Sequence, residues 1–257
     1  MSVAKSIAVA GKGGTGKSTI AALLVLHLCE KGMGPVLAVD ADPDSNLGTL
    51  LGVETAKSIG DLREEVLKEM KNFPAGMSKA SYVEAGLHQI IEEASGFDLI
   101  TMGRGEGSGC YCSLNNMIRK FSQDLYPSYS WVVIDNEAGL EHISRRTTQY
   151  IDSLIVVVND NPLSFDCAER IENLTEDLKS RIKKKFLVTN MVRDGRKDEV
   201  HRRLSGLKSE HICDIPYDAK LEEIVYEDKP LTSLSDSPTP GYIDLIIEKI
   251  GGINGNS

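Results

Sequence analysis

Apolar residues in this chain fall into short runs separated by longer segments of helical period. Ser6–Ala10, Pro35–Asp40, Phe97–Met102, Trp131–Asp135, Ser153–Asn159, Lys185–Asn190 and Ser209–Ile215 are near-continuous apolar runs. That is the signature of strands buried on both faces of a parallel sheet. Between them, Ile20–Leu28 reads as a helix, and Leu62, Val66 and Met70 recur at helical spacing in Asp61–Met70. The alternation predicts an α/β fold, a mostly parallel central sheet flanked by helices, with ligands at the carboxyl ends of the strands. Residues 54–95 are charged and helix-rich, and read as an insertion between the second and third of these strands that forms an amphipathic cover. Tyr242–Ile250 is amphipathic without being basic, which predicts a packed final helix rather than a membrane anchor. The expectation is one domain over residues 1–250, followed by a frayed tail at 251–257.

The junction after the first run changes the picture from fold to chemistry. It reads Gly11-Lys12-Gly13-Gly14-Thr15-Gly16-Lys17-Ser18-Thr19, which satisfies the phosphate-binding loop pattern between a strand and a helix. Glycines let consecutive backbone N–H groups turn towards phosphate oxygens. Lys17 then reaches the β- and γ-phosphates, Ser18 ligates Mg²⁺, and the positive end of the following helix faces the anion.

Charge and cysteine usage narrow the classes. With 29 basic against 38 acidic residues in 257, the formal charge is −9, which argues against broad affinity for nucleic acid or anionic membrane. No apolar run approaches the ~18 residues of a spanning helix, and no secretory leader precedes the first strand, so a cytoplasmic protein is expected. The five cysteines are an odd number, a poor basis for a disulfide framework. Cys29, Cys167 and Cys213 read as small buried hydrophobes.

Three further constellations carry chemistry. Val39-Asp-Ala-Asp-Pro-Asp-Ser-Asn46 sets carboxylates where an apolar strand meets a loop, the place where a metal and an attacking water need acidic partners. Trp131-Val-Val-Ile-Asp135 is an apolar strand ending in an acid, so Asp135 has the placement that holds Mg²⁺ through water, and Gly139 can offer its N–H to a γ-phosphate. Cys110-Tyr111-Cys112 offers half of a tetrahedral thiolate site in a glycine-rich approach. Two copies about a two-fold axis supply four sulfurs, suited to Zn²⁺, Ni²⁺ or an iron–sulfur cluster. Two structural cysteines or a redox pair are the bland alternatives, although a disulfide across one residue is strained.

The loop form Lys12-Gly-Gly-Thr-Gly-Lys-Ser18 resembles the deviant Walker A loop of the MinD, ParA, ArsA and nitrogenase iron-protein ATPases. The resemblance implies a homodimer in which Lys12 reaches the partner's nucleotide. It also implies that Asp42 positions the water, Asp40 orders the Mg²⁺ shell, and Asn190 with Pro216, Tyr217 and Asp218 flanks adenine. Gly-Cys-Tyr-Cys112, the helix bearing Asn115 and Asn116, and Asp135-Asn-Glu-Ala-Gly-Leu-Glu-His142 are together similar to the CooC-type nickel-insertion ATPases of carbon monoxide dehydrogenase and acetyl-CoA synthase maturation. That likeness implies Ni²⁺ (or Zn²⁺) held by Cys110 and Cys112 between subunits and delivery to a client nickel enzyme; for Glu141 and His142, in the second switch region, a satisfied surface role is favoured over one that assists the site. The rival readings are a ParA/MinD-like partitioning or positioning ATPase and an ATP-driven iron–sulfur carrier or reductase.

Overall fold

The computed structural model describes residues 4–68, 78–103, 112–137, 150–177 and 181–251. Each apolar run forms a strand: β1 Lys5–Gly11, β2 Val36–Ala41, β4 Phe97–Thr101, β5 Trp131–Asn136, β6 Ile151–Val158, β7 Ile182–Asn190 and β8 Glu210–Ile215. One further strand, β3 Glu92–Glu93, escapes the hydrophobic pattern. It pairs antiparallel with β4 at the sheet edge, while every other pair is parallel. The eight strands lie in the order β3-β4-β2-β5-β1-β6-β7-β8. β2 and β5 are buried along their whole length, as strands covered on both faces must be.

The helices divide between the two faces. α1 Lys17–Glu30 is apolar nearly all round because α2 Leu47–Leu51 and the final helix pack over it while it packs on the sheet. That final helix, Thr239–Lys249, buries Ile243, Ile246 and Ile247 completely. At about 1.5–3 kcal/mol per side chain, an upper estimate, its packing is worth roughly 5–9 kcal/mol, which explains an apolar face that needs no membrane. No helix among the described residues is long and apolar enough to cross a bilayer.

The opposite face carries α3 Ile59–Lys68, α4 Lys79–Gln89, α5 Cys112–Leu125, α6 Pro162–Asp177 and α7 Lys197–Leu204. α8 Ala219–Tyr226 and α9 Thr239–Lys249 complete the chain order. Leu62 and Val66 of α3 join Val83 and Leu87 of α4 in the core of that face. The described part of the inserted segment packs as a cover on this face; Met70 lies outside the described residues. Cys167 and Cys213 are buried as expected, but Cys29 is only half-buried. It ends α1 and its thiol donates to the Gly96 carbonyl at 3.2 Å, with burial pushing its pKa up to about 11.

Candidate functional site

β1 sits at the centre of the sheet with β5 on one side and β6 on the other, so its carboxyl end opens at the point where strand order reverses. The loop at that point depends on two glycines. A Cβ on Gly11 would stand 2.3 Å from the Val157 carbonyl oxygen of β6, and one on Gly16 would stand 2.4 Å from Asn190 Nδ2 of β7. Both residues have positive φ, +144° and +89°, which a side chain disfavours. Thr15 is fully buried and braces the loop internally, its Oγ1 donating to the Lys12 carbonyl at 2.8 Å. Asn190 Nδ2 donates to the Thr15 carbonyl at 2.9 Å. The tip of β7 is thus tied to the loop, and the Asn190 carbonyl side and second amide hydrogen remain for a ligand. Lys17 is 6% exposed, whereas Lys12, one residue into the loop, is partly exposed and Gly13 and Gly14 are open.

Neighbouring strand tips supply the acids. Asp40 of β2 and Asp135 of β5 are paired in register and both are fully buried. Asp40 organises the loop that follows it: its Oδ1 accepts from Asp42 N at 3.2 Å and its Oδ2 from Leu47 N at 3.0 Å, which starts α2. Burial and the Asp135 charge push the Asp40 carboxyl up to about 7. Burial likewise lifts Asp135 to about 6, with the Ser18 hydroxyl and Lys17 ammonium opposing the rise. Among the described residues neither Asp135 oxygen has a hydrogen-bond partner of ordinary geometry. Asn136 beside it donates to the Val9 carbonyl at 3.1 Å, and its own Oδ1 is likewise unpartnered.

Buried acceptor oxygens without donors are costly unless a cation or its water shell satisfies them. Here they lie with Ser18 beside a loop built for phosphate, a hard oxygen donor set that fits Mg²⁺. Sequence reasoning missed Asn136; the only signal was a polar residue directly after the strand-ending acid.

The remaining expected residues are more scattered in role. Asp42 is half-buried at the site's edge, its Oδ1 accepting from Asp44 N at 3.0 Å. Asp218 is occupied structurally. One oxygen accepts from Lys220 N and Leu221 N to cap α8, and the other accepts the hydroxyls of Ser237 and Thr239. Tyr217 is exposed and its hydroxyl donates to Glu222. Ser18 and Thr19 begin α1 within reach of solvent. Gly139, Cys110, Glu141 and His142 lie outside the described residues, and Cys112 is described only as the first residue of α5.

The profile of the CobQ/CobB/MinD/ParA nucleotide binding domain matches residues 6–231, which include every element of this phosphate and carboxylate site. The chain belongs to that family. This family member is 42% identical to an uncharacterised ATP-binding protein of Methanocaldococcus jannaschii over 90% of this chain and 92% of the other. It is 33% identical to the carbon monoxide dehydrogenase accessory protein CooC of Rhodospirillum rubrum over 67% of this chain and 69% of the other. Among solved structures, the septum site-determining protein MinD of Pyrococcus horikoshii, complexed with Mg-ADP, superposes with a TM-score of 0.68 at 19% identity, covering 98% of each chain. The last likeness shows the fold alone, a mostly parallel sheet flanked by helices.

Proposed function

We propose that this MinD/ParA-type ATPase is a metallochaperone that holds nickel between two subunits through Cys110 and Cys112 and assists its insertion into a carbon monoxide dehydrogenase or acetyl-CoA synthase. The observation that carries the reading is the Cys110-x-Cys112 sequence, whose second cysteine is the first residue of α5, in a chain 33% identical to a protein named as a carbon monoxide dehydrogenase accessory protein. The nearness of the pair in sequence to the nucleotide site supports it. β4 ends beside β2, where Met102 N donates to the Asp40 carbonyl at 2.8 Å, and Cys110 follows eight residues later in sequence.

The reaction is attack of water on the γ-phosphate of ATP. Backbone N–H groups of residues 13–19 cradle the phosphates, and Lys17 neutralises the β- and γ-oxygens. Ser18, Asp40 and Asp135 would hold Mg²⁺, which when bound supplies further neutralisation of the phosphate charge. Asp42, at the edge of the acidic cluster, orients the water, and Gly139 offers its N–H to the γ-phosphate. Lys12 reaches the nucleotide of a second copy, so that hydrolysis requires a homodimer. Asn190, with the loop Pro216, Tyr217 and Asp218, receives the base; Asp218 acts there by fixing the loop rather than by touching adenine. ATP state then controls the ion, because a dimer arrangement that sets sulfur geometry must bind metal and nucleotide reciprocally.

The reading is tested by sedimentation of tag-free protein with and without Ni²⁺, comparing wild type with the Cys110→Ser/Cys112→Ser variant. Nickel-dependent dimerisation of wild type only supports it. Equal behaviour of both proteins overturns it in favour of a partitioning or positioning ATPase. A broad anaerobic charge-transfer absorption of protein as isolated overturns it in favour of an iron–sulfur carrier.

A further inference from the structure

At the edge of the sheet, β8 and α7 bring together two imidazoles and a carboxylate. His201 of α7 and His211 and Asp214 of β8 place their ligand atoms within 4.8 Å of one another. Both Nε2 atoms converge on one oxygen: His201 at 2.8 Å and His211 at 3.3 Å from Asp214 Oδ1. The rings stand 5.0 Å apart between centroids.

This convergence is built by an irregularity in the ladder. Residues 211 and 214 are an odd number apart, and on a regular strand they would point to opposite faces. The β7–β8 register instead pairs Leu187 with His211 and Val188 with Cys213, leaving Ile212 as an extra residue, and then Thr189 with Asp214. Leu187 and Thr189 share a face, so the bulge puts His211 and Asp214 on that face together. Bulges often re-aim a side chain in this way next to sites. α7 is fixed above by Val200 and Leu204, both buried in the same core as Leu187, and this presents His201 to the pair. The Thr189 hydroxyl also donates to Asp214 Oδ1, orienting the carboxylate from below.

We propose that His201, His211 and Asp214 form a binding site for a borderline divalent transition metal of the zinc, nickel or cobalt type, separate from the nucleotide site and from the Cys110/Cys112 pair. Two imidazoles and one carboxylate are a donor set for such ions and a poor one for Mg²⁺ or Ca²⁺. Ligands of a tetrahedral ion with ~2.1 Å bonds stand about 3.4 Å apart. The ligand atoms already lie within 4.8 Å of one another, and the two imidazoles, 46% and 31% exposed, are the groups that would turn to close that spacing. Partial burial lowers the His211 pKa, which favours the neutral ring that ligates. Water completes the coordination on the solvent side. Three donors crowded onto one carboxylate oxygen are a weaker use of these groups than a cation shared among them.

The test uses tag-free, full-length Cys110→Ser/Cys112→Ser protein, so the thiolate pair cannot contribute, and its outcome is independent of the nickel-chaperone reading. Titration with Co²⁺, followed by visible ligand-field absorption, and with Zn²⁺, followed by calorimetry, is expected to show one ion per protomer. His201→Gln and His211→Gln should each weaken binding by at least ~10-fold while the melting curve in chelator stays cooperative. Imidazole NMR of the protein with native histidines guards against a folding artefact. Zn²⁺ should shift the ring resonances of His201 and His211 and leave those of His27 and His88 in place. Failure to bind an ion at this stoichiometry, binding unchanged with both histidines replaced, or shifts at other histidines instead would show that the cluster only staples α7 to the sheet.

Discussion

Replacing Asp135 by asparagine isolates the physical cost of the nucleotide site. Burial lifts this carboxyl from 3.8 to about 6, with the Asp42 charge adding to the rise. At about 1.36 kcal/mol per pH unit, that difference amounts to roughly 3 kcal/mol of folding free energy lost once the group ionises. The sign follows from the folded value being the higher. The contribution is fully present below about pH 4, the unfolded value, and disappears as pH rises through about 6. The asparagine side chain has the same shape as the aspartate it replaces, carries no charge and can donate to Asp40, which is paired with this position in register. Part of the gain is offset by the amide's own burial. A stabilisation of about 2 kcal/mol at pH 7.5 in chelator is expected, a rise in Tm of roughly 4–8 °C for a chain of this size. Remote acids, such as Asp152 and Asp244, titrate in both proteins and cancel in the difference, whereas Asp40 loses the upward push of the Asp135 charge in the variant, which adds to its stabilisation in the neutral range. Urea melts of both proteins in EDTA from pH 4 to 8 should therefore give a difference near zero at the acid end that grows to a plateau above pH 6. Saturating Mg-ATP should reverse the order. A difference that is flat with pH, or a variant less stable than wild type at pH 7.5 in EDTA, would refute the reasoning.

Three other changes probe the rest of the site. Gly16→Ala puts a methyl 2.4 Å from Asn190 Nδ2 at φ +89°; about 2–3 kcal/mol of stability should go, from backbone strain and the lost Asn190–Thr15 bond, with weaker ATP binding by calorimetry. Lys12→Ala should leave ATP affinity within ~3-fold but lower turnover by at least ~100-fold, whereas Lys17→Ala should lose both, as measured by calorimetry and phosphate release. Asp218→Ala removes a helix cap and orphans two hydroxyls that it accepts from; roughly 2–4 kcal/mol should be lost in urea melts.

The sheet was legible because strands covered on both faces have no polar side to interrupt them, as Trp131–Ile134 illustrates. β3 was not, since two acidic residues at an edge become a strand only through pairing with Asp98 and Leu99. The phosphate loop and the acids at strand tips were readable because their chemistry demands fixed residue types at fixed junctions. The unpartnered Asn136 oxygen was not, because satisfaction depends on what the third dimension leaves nearby. Asp218 stands directly before a helical pattern, an N-cap signal outweighed in the sequence reading by its likeness to a base-flanking loop. The His201, His211 and Asp214 cluster was hidden for a different reason: the bulge at Ile212 is a property of the β7–β8 pair, not of either strand alone. Cys29 reads as buried from its apolar helix, but it lies at the helix end, where the cover thins.

The central claim is that nucleotide state governs the metal held by Cys110 and Cys112. It is tested most directly by measuring the Ni²⁺ dissociation constant of tag-free protein bearing His201→Gln and His211→Gln, once with ADP and once with a non-hydrolysable ATP analogue. The account predicts a shift of at least ~10-fold between the two states, about 1.4 kcal/mol of coupling, that vanishes on replacing both cysteines by serine. The same dissociation constant in both nucleotide states, or a shift that survives loss of the cysteines, would contradict it.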